Sequence, residues 1–307
     1  MNKKRFSEIA LLFVAFVWGS TFVVVQDAIQ SLPPFIFNAV RFGLAGLFLL
    51  AVSFWKGAGG KGSVGKSVAA GAILGCCLFI GYTFQTVGLL YTTPAKAGFI
   101  TGLSVVMVPL LSVFFLKKRP GALSAAGSVF AGCGLYLLAA KDASGLSAGD
   151  LLVLICAVGF AFHIIITDRF AQQISPLLAT TVQLLVVSAF SWIGAIFFEN
   201  WKAALVPRTL FSPKTVFALF VTAFLATAAA FFIQTAAQRY TSPTRVALIL
   251  TMEPVFAALT SFFWVHERLT PLAEFGCLFI FAGMVLAELP NVFKTKKALL
   301  AGSKGKS

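Results

Sequence analysis

The amino-acid sequence predicts an all-α membrane protein, with ten transmembrane helices arranged as two inverted five-helix repeats. Three observations predict it. The chain of 307 residues is 59% hydrophobic and only 11% charged, with 34 Phe, whereas a soluble domain carries about 25% charged residues. Apolar runs of membrane-crossing length recur from end to end. Shifted by 149 residues, the chain also matches itself.

The spans read in order as follows. The run at 9–25 follows "NKKRFSE" and looks like a secretory signal. It is long for the apolar part of one, however, and no small-x-small cleavage site precedes "QDAIQSLPP", so it is a permanent span. The run at 35–55, "FIFNAVRFGLAGLFLLAVSFW", is a full membrane span whose one charged residue is Arg41. The next three, at 68–90, 95–116 and 123–140, carry small residues at helix-packing spacing: Gly71/Gly75, Gly98/Gly102 and Gly127/Ala131. The run at 151–167 holds His163 and ends beside Asp168, and 177–198 carries no charged residue. Gln234 lies in 216–237, Glu253 and Pro254 lie in 246–265, and 272–289 closes the set. The runs are continuous rather than alternating, so they predict helices and not the strands of a barrel.

The internal repeat is specific. "QTVGLLYTTPAKAGFI", residues 85–100, lies over "QTAAQRYTSPTRVALI", residues 234–249. Ungapped, the match runs on through Gly127/Gly276, Phe130/Phe279 and Gly134/Gly283, with sixteen identities between residues 85 and 137. Shared apolar bias does not align Pro94 with Pro243 or Tyr91 with Tyr240. Each half holds five spans, so the second enters the membrane from the opposite side. Inverted repeats are a common build of secondary transporters, because two half-bundles can exchange roles around a central site.

Charge sets the orientation. Lys3, Lys4, Arg5, Lys56, Lys61, Lys66, Lys117, Lys118, Arg119, Arg169, Arg239, Arg245 and the lysines after 290 fall on the side of both termini. The opposite side holds only Lys141, Lys202, Arg208, Lys214 and Arg268. The positive-inside rule places both termini in the cytoplasm of a bacterial cell. Basic loops facing anionic lipid also explain the net charge of +14 without nucleic acid.

One motif points elsewhere. "GKGSVGKS", residues 60–67, satisfies the phosphate-cradle pattern G-x-x-x-x-G-K-[ST]. That loop works between a buried strand and a helix. Here a membrane span lies on each side and the connection is about a dozen residues, too short for a nucleotide-binding domain, so the stretch reads as a basic linker. Cys76, Cys77, Cys133, Cys156 and Cys277 all fall in spans without a C-x-x-C, and no H-E-x-x-H or hydrolytic triad is evident, so no metal, cofactor or enzyme is expected.

"FVWGSTFVVV" in the first span, "NAVRFGLAGLFLL" in the second, "AKAGFITGLSVVMVPLL" in the fourth, and "LTMEPVFAAL" followed by "HERLTPLAEFG", are similar to the EamA family of the drug/metabolite transporter superfamily. The resemblance covers about residues 8–290. It implies two inverted five-helix repeats at 8–140 and 150–290, a basic cytoplasmic tail at 291–307, and movement of small metabolites such as amino acids or drug-like compounds. The chain departs from the family in having Lys118 where a Glu is frequent, as Glu267 is in the second half.

Ionisable groups buried in lipid are costly and default to functional candidates. Glu253 is the first: deep in its span, it reads as a protonatable or substrate-contacting carboxylate, or as a buried group hydrogen-bonded to a neighbouring helix. Arg41 could bind a substrate carboxylate bidentately or snorkel to the interface. Lys96 aligns with Arg245, which suggests a structural anchor as readily as a ligand contact. Trp18, beside Gly19, faces a cavity or packs; Gln85 and Gln234 are repeat-equivalent polar groups; His163 is a structural histidine or a proton relay. The expected function is a secondary-active transporter exporting a small organic molecule by alternating access, with the bilayer, a small-molecule substrate and a coupling proton or ion as partners and no nucleotide. The alternative is a sensor or assembly protein that kept the fold.

Overall fold

A computed structural model describes residues 3–55, 63–92, 94–117, 121–139, 147–264, 270–272 and 274–286. The expected tail at 291–307, with Lys118 and Glu267, lies outside them. Regular structure among the described residues is helical throughout. The first half comprises α1 (Lys3–Ile29), α2 (Pro34–Trp55), α3 (Val64–Gly88), α4 (Pro94–Gly102), α5 (Ser104–Leu116) and α6 (Ala122–Ala139). The second comprises α7 (Ala148–Phe170), α8 (Pro176–Phe198), two short helices α9 (Trp201–Ala204) and α10 (Pro207–Leu210), α11 (Pro213–Phe220) leading through a π-helix (Val221–Ala229) into α12 (Ala230–Ala237), then α13 (Pro243–Leu250), α14 (Glu253–Trp264) and α15 (Glu274–Leu286).

Among the described residues, seven stretches are long and apolar enough to cross a membrane: Lys3–Ile29, Pro34–Trp55, Val64–Gly88, Ala97–Leu116, Ala148–Phe170, Pro176–Phe198 and Pro213–Ala237. Ala122–Leu137 and Glu274–Leu286 are shorter apolar helices. The outer surface suits lipid: Phe54, Phe114, Phe197 and Phe198 are each 77–78% exposed, a surface that aqueous solvent would penalise.

Local chemistry sets the helix ends. Proline, which needs no N–H in a first turn, opens α2, α4, α8, α11 and α13. Ser147 begins α7 with a capping box: its Oγ accepts from the Asp150 amide at 3.1 Å, and its own amide donates to Asp150 Oδ2 at 2.8 Å. Thr92 also donates to Asp150, which explains a buried acid at a helix end. Glu199, just after α8, accepts from the amides of Phe35 and Ile36 at 2.8 and 2.9 Å and so closes the N-terminus of α2. Half-burial raises the Glu199 carboxyl above its ordinary value, although the two amides favour its charged form.

The expected continuous helices at 95–116 and 246–265 are each broken. α4 ends before Leu103, and α13 ends before Thr251 and Met252. Under the 149-residue shift Leu103 falls on Met252, so the breaks are equivalent. In the second half the cause is visible: Pro254 has no N–H to return to the Leu250 carbonyl, and Thr251 Oγ1 turns back to the Ala247 carbonyl at 2.7 Å.

The two halves pack reciprocally. A Cβ on Gly134 would lie 2.6 Å from the Gly276 carbonyl oxygen and 2.7 Å from the Ile280 amide; one on Gly283 would lie 2.6 Å from the Gly127 oxygen and 2.9 Å from the Ala131 amide. These pairs exchange under the repeat, and Phe130 stacks on its own equivalent, Phe279, at 5.8 Å. α2 and α8 meet antiparallel in the same manner: Gly43 against Ser188 and Gly46 against Leu185 exchange under a shift of 142. The shift becomes 149 after the longer connection that carries α9 and α10. Around these contacts α3 packs on α7 and α8, and α1 on α14.

Close backbone approach at α6 and α15 requires glycine. Gly134→Val should therefore destabilise the protein by about 1–3 kcal/mol, the cost of overpacking, and lower its unfolding midpoint in mild detergent. An unchanged midpoint would show that this contact does not hold the halves together.

Candidate functional site

A cavity of about 60 Å³ lies where the two breaks meet. Its wall is built largely of repeat-equivalent residues: Trp18 with Phe160, Tyr82 with Phe231, Gln85 with Gln234, and Ser104 with Glu253. Gly102, the last residue of α4, and Thr251, the first residue of the second break, complete the pairing. The fold thus converges equivalent positions on one point while the sequence gives them different chemistry.

Glu253 is the first residue of α14 and faces this cavity. Among the described residues its carboxylate has no hydrogen-bond or ion-pair partner. A negative group at a helix N-terminus is favoured by the helix dipole, which lowers the cost of holding it there. α1 approaches this turn at Gly19, where a Cβ would collide with the Glu253 carbonyl oxygen and lie 2.8 Å from Phe256 Cβ. The glycine after Trp18 is therefore a close-packing residue. For the expected hydrogen-bonded structural acid, the described residues offer Glu253 no partner.

Arg41 does not snorkel. It is 3% exposed, with Nε donating to Thr227 Oγ1 at 2.7 Å and Nη2 to the Ala226 carbonyl at 3.4 Å. Its guanidinium lies over the rings of Tyr82, 5.1 Å away, and Phe42, 5.4 Å away. No described carboxylate pairs with it. Arg41 and Glu253 line a second small cavity together, with Tyr82, Trp18 and Gln85. Trp18 Nε1 also donates to the Ala226 carbonyl, at 2.7 Å, and its ring lies 5.2 Å from Phe231. The π-helical segment thus receives both Trp18 and Arg41.

The remaining candidates divide. Gln85 Nε2 donates to Thr101 Oγ1 at 3.2 Å, whereas Gln234 Oε1 is buried without a hydrogen-bond partner at the cavity wall. A buried amide oxygen in that position is an open acceptor for a water or ligand donor. His163 also reaches the cavity, but its Nε2 is held by Gln183 Oε1 at 3.0 Å and its ring stands edge-on to Phe231. That is the arrangement of a positioned structural histidine. Lys96 lies in the first turn of α4, and its side chain is outside the described part of the structure. Its equivalent, Arg245, is buried and reaches Glu8 on α1 at 3.3 Å, an anchoring role.

Sequence reasoning missed Tyr82, Thr101 and Thr251. The signal for Tyr82 was available, since the same shift that pairs Gln85 with Gln234 pairs Tyr82 with Phe231. The stretch at 60–67 divides: Gly60, Lys61 and Gly62 are outside the described residues. Of the rest, Ser63 caps α3, Lys66 Nζ reaches Gln173 Oε1 at 3.0 Å, and the buried Ser67 hydroxyl accepts from the Ser175 amide at 2.9 Å. The two side chains that a phosphate loop would use are engaged in holding α3 to the turn before α8.

The family model described as EamA-like transporter family matches residues 5–140 and 147–289. An uncharacterized transporter of Archaeoglobus fulgidus is 37% identical over 94% of this chain and 87% of its own length. The uncharacterized inner membrane transporter YedA of Escherichia coli is 24% identical, over 95% of this chain and 94% of its own length. A solved crystal structure superposes with a TM-score of 0.74 at 20% identity, covering 92% of this chain and 96% of that one, a likeness of fold. Helical throughout its described residues, with seven membrane-length apolar stretches among them and matched by the family model in both halves, the chain belongs to the EamA-like transporter family.

Proposed function

We propose that the protein is a secondary-active transporter of the bacterial cytoplasmic membrane, exporting a small organic metabolite by alternating access about the cavity at the paired helix breaks. The observation that carries this reading is Glu253: an unpartnered carboxylate facing a cavity between the two halves, with the buried cation Arg41 bordering the adjoining space. Irregular backbone is tolerated at membrane depth where it lines a cavity, and substrate and ion sites of secondary transporters lie at such breaks. The cavity is too small for a metabolite as it stands, so loading requires the halves to part. Ten spans in two inverted repeats, with both termini cytoplasmic, give that motion its geometry. The driving force is an ion gradient or the substrate's own gradient, and Glu253 is the titratable group through which a proton would act. No nucleotide, nucleic acid, metal or organic cofactor takes part in this scheme.

Glu253→Gln keeps shape and hydrogen bonding while removing charge and titration. The variant should fold and insert normally. Its transport in reconstituted vesicles should lose its pH dependence and fall about tenfold or more, as removing a charged contact of about 1.5–3 kcal/mol implies. An unchanged pH profile makes Glu253 a structural residue.

The inverted arrangement is tested by reporters of sidedness. A tag at residue 168 should report the cytoplasm and one at residue 205 the exterior. Both tags on one face would refute the inversion.

A further inference from the structure

A groove of about 640 Å³ opens on the outer face of the bundle between α1, α11 and α14. Its walls are apolar, among them Phe16, Val24, Phe217, Phe256 and Phe263. At one end Lys214 Nζ and Asp27 Oδ2 form an exposed ion pair at 2.9 Å. Midway, Ser20 and Thr260 hydroxyls share a hydrogen bond of 3.1 Å, so no unsatisfied polar group points into the space. Because the protein spans a membrane, the solvent at this face is lipid.

The dimensions fit one leaflet. Asp27 and Lys214 lie at the end of α1 and the start of α11, where the chain leaves the apolar layer. Eleven residues of α1 separate Asp27 from Phe16, a rise of about 16 Å, and half of a hydrocarbon core about 30 Å thick is about 15 Å. The deep end, at Phe16 and Phe256, is level with the break that holds Glu253: Phe16 packs edge-on against Phe256 at 5.4 Å. The groove therefore runs from the interface to mid-membrane.

The matching positions of the other half carry different residues. At the matching positions Ser20 becomes Phe162, Thr260 becomes Leu111, Asp27 becomes Arg169 and Lys214 becomes Gly65. Phe162 fills its side and packs on Phe115 at 5.3 Å. The pair at the mouth does not repeat: the groove has the zwitterionic pair Asp27 and Lys214 there, where the other half has Arg169 and Gly65.

We propose that this groove is a lipid site. It holds one acyl chain of a phospholipid from the leaflet opposite the N-terminus, whose headgroup carries both an ammonium and a phosphate: Lys214 takes the phosphate and Asp27 the ammonium. An anionic headgroup without the ammonium satisfies Lys214 and leaves Asp27 opposed. α1 and α14 line both spaces: Trp18, Glu253 and Pro254 face the central cavity, and Ser20 and Phe256 face the groove. Gly19 packs against Glu253 and Phe256 between them, so the lipid lies behind Glu253.

Native mass spectrometry of the full chain, equilibrated with equal amounts of phosphatidylethanolamine and phosphatidylglycerol of identical acyl chains, tests this. The native protein should retain one phosphatidylethanolamine in preference to phosphatidylglycerol by about tenfold. Ser20→Phe with Thr260→Leu, which installs the residues of the other half, should reduce that retention by a similar factor, with folding checked by thermal unfolding. Asp27→Asn, at an exposed position, should keep one lipid bound but abolish the headgroup preference, and it decides the matter if the filled variant does not fold. Equal retention of the two lipids by the native protein, undiminished retention by a folded filled variant, or a preference unchanged in Asp27→Asn would each overturn the proposal.

Discussion

The hydrocarbon layer offers no water to a backbone amide or carbonyl, so a membrane chain must satisfy these groups internally or point them into a protein-lined space. Everything distinctive here follows from where the chain breaks that rule. The helices interrupted at Leu103 and at Thr251–Met252 interrupt their hydrogen-bond ladders at equivalent places, and both interruptions face the same interior cavity. Their surroundings are accordingly polar: Thr101, Gln85, Gln234 and Thr251 meet there although the outer surface is apolar. Reciprocal glycine contacts of α6 with α15 and of α2 with α8 hold the two breaks together. A cavity at this point therefore accompanies the meeting of two repeat-equivalent helix breaks.

Within that frame the chemistry is one-sided. Glu253 stands opposite Ser104, Tyr82 opposite Phe231, and Arg41 at the position matched in the second half by Gln183. Gln183 is occupied with His163, whereas Arg41 rests on a π-helical carbonyl and two aromatic faces. The internal repeat supplies the shared geometry of the two halves. The departures from it place one carboxylate, Glu253, and one guanidinium, Arg41, beside the same small cavity.

Much of this was legible in the sequence because hydrophobic run length and an ungapped self-match are strong signals. The placement of Glu253 deep among apolar residues was readable for the same reason. The breaks were not: Gly102, Leu103, Thr251 and Met252 are all compatible with a helix, and only Pro254 hints at an interruption. The repeat was legible after residue 85 but not before, because the connection carrying α9 and α10 changes the shift and hides the pairs Trp18/Phe160 and Arg41/Gln183. Asp150 and Glu199 passed unnoticed because each caps a helix through contacts made in three dimensions, one from Thr92 and the other to the start of α2. By depth alone Arg41 read either as a contact for a substrate carboxylate or as a snorkelling residue; its burial depends on the Thr227 and Ala226 acceptors of another helix.

The central claim is that the cavity at the paired breaks opens in turn to each side of the membrane. Ser104 lines it and mirrors Glu253 without carrying charge, so Ser104→Cys, in a chain whose five native cysteines have been replaced, reports on it directly. The measurement is the rate of modification by a membrane-impermeant thiol reagent, applied separately to each face of oriented vesicles. Alternating access predicts modification from both faces, with bound substrate slowing both. Modification from neither face, or from one face only under every condition of substrate and pH, would contradict it.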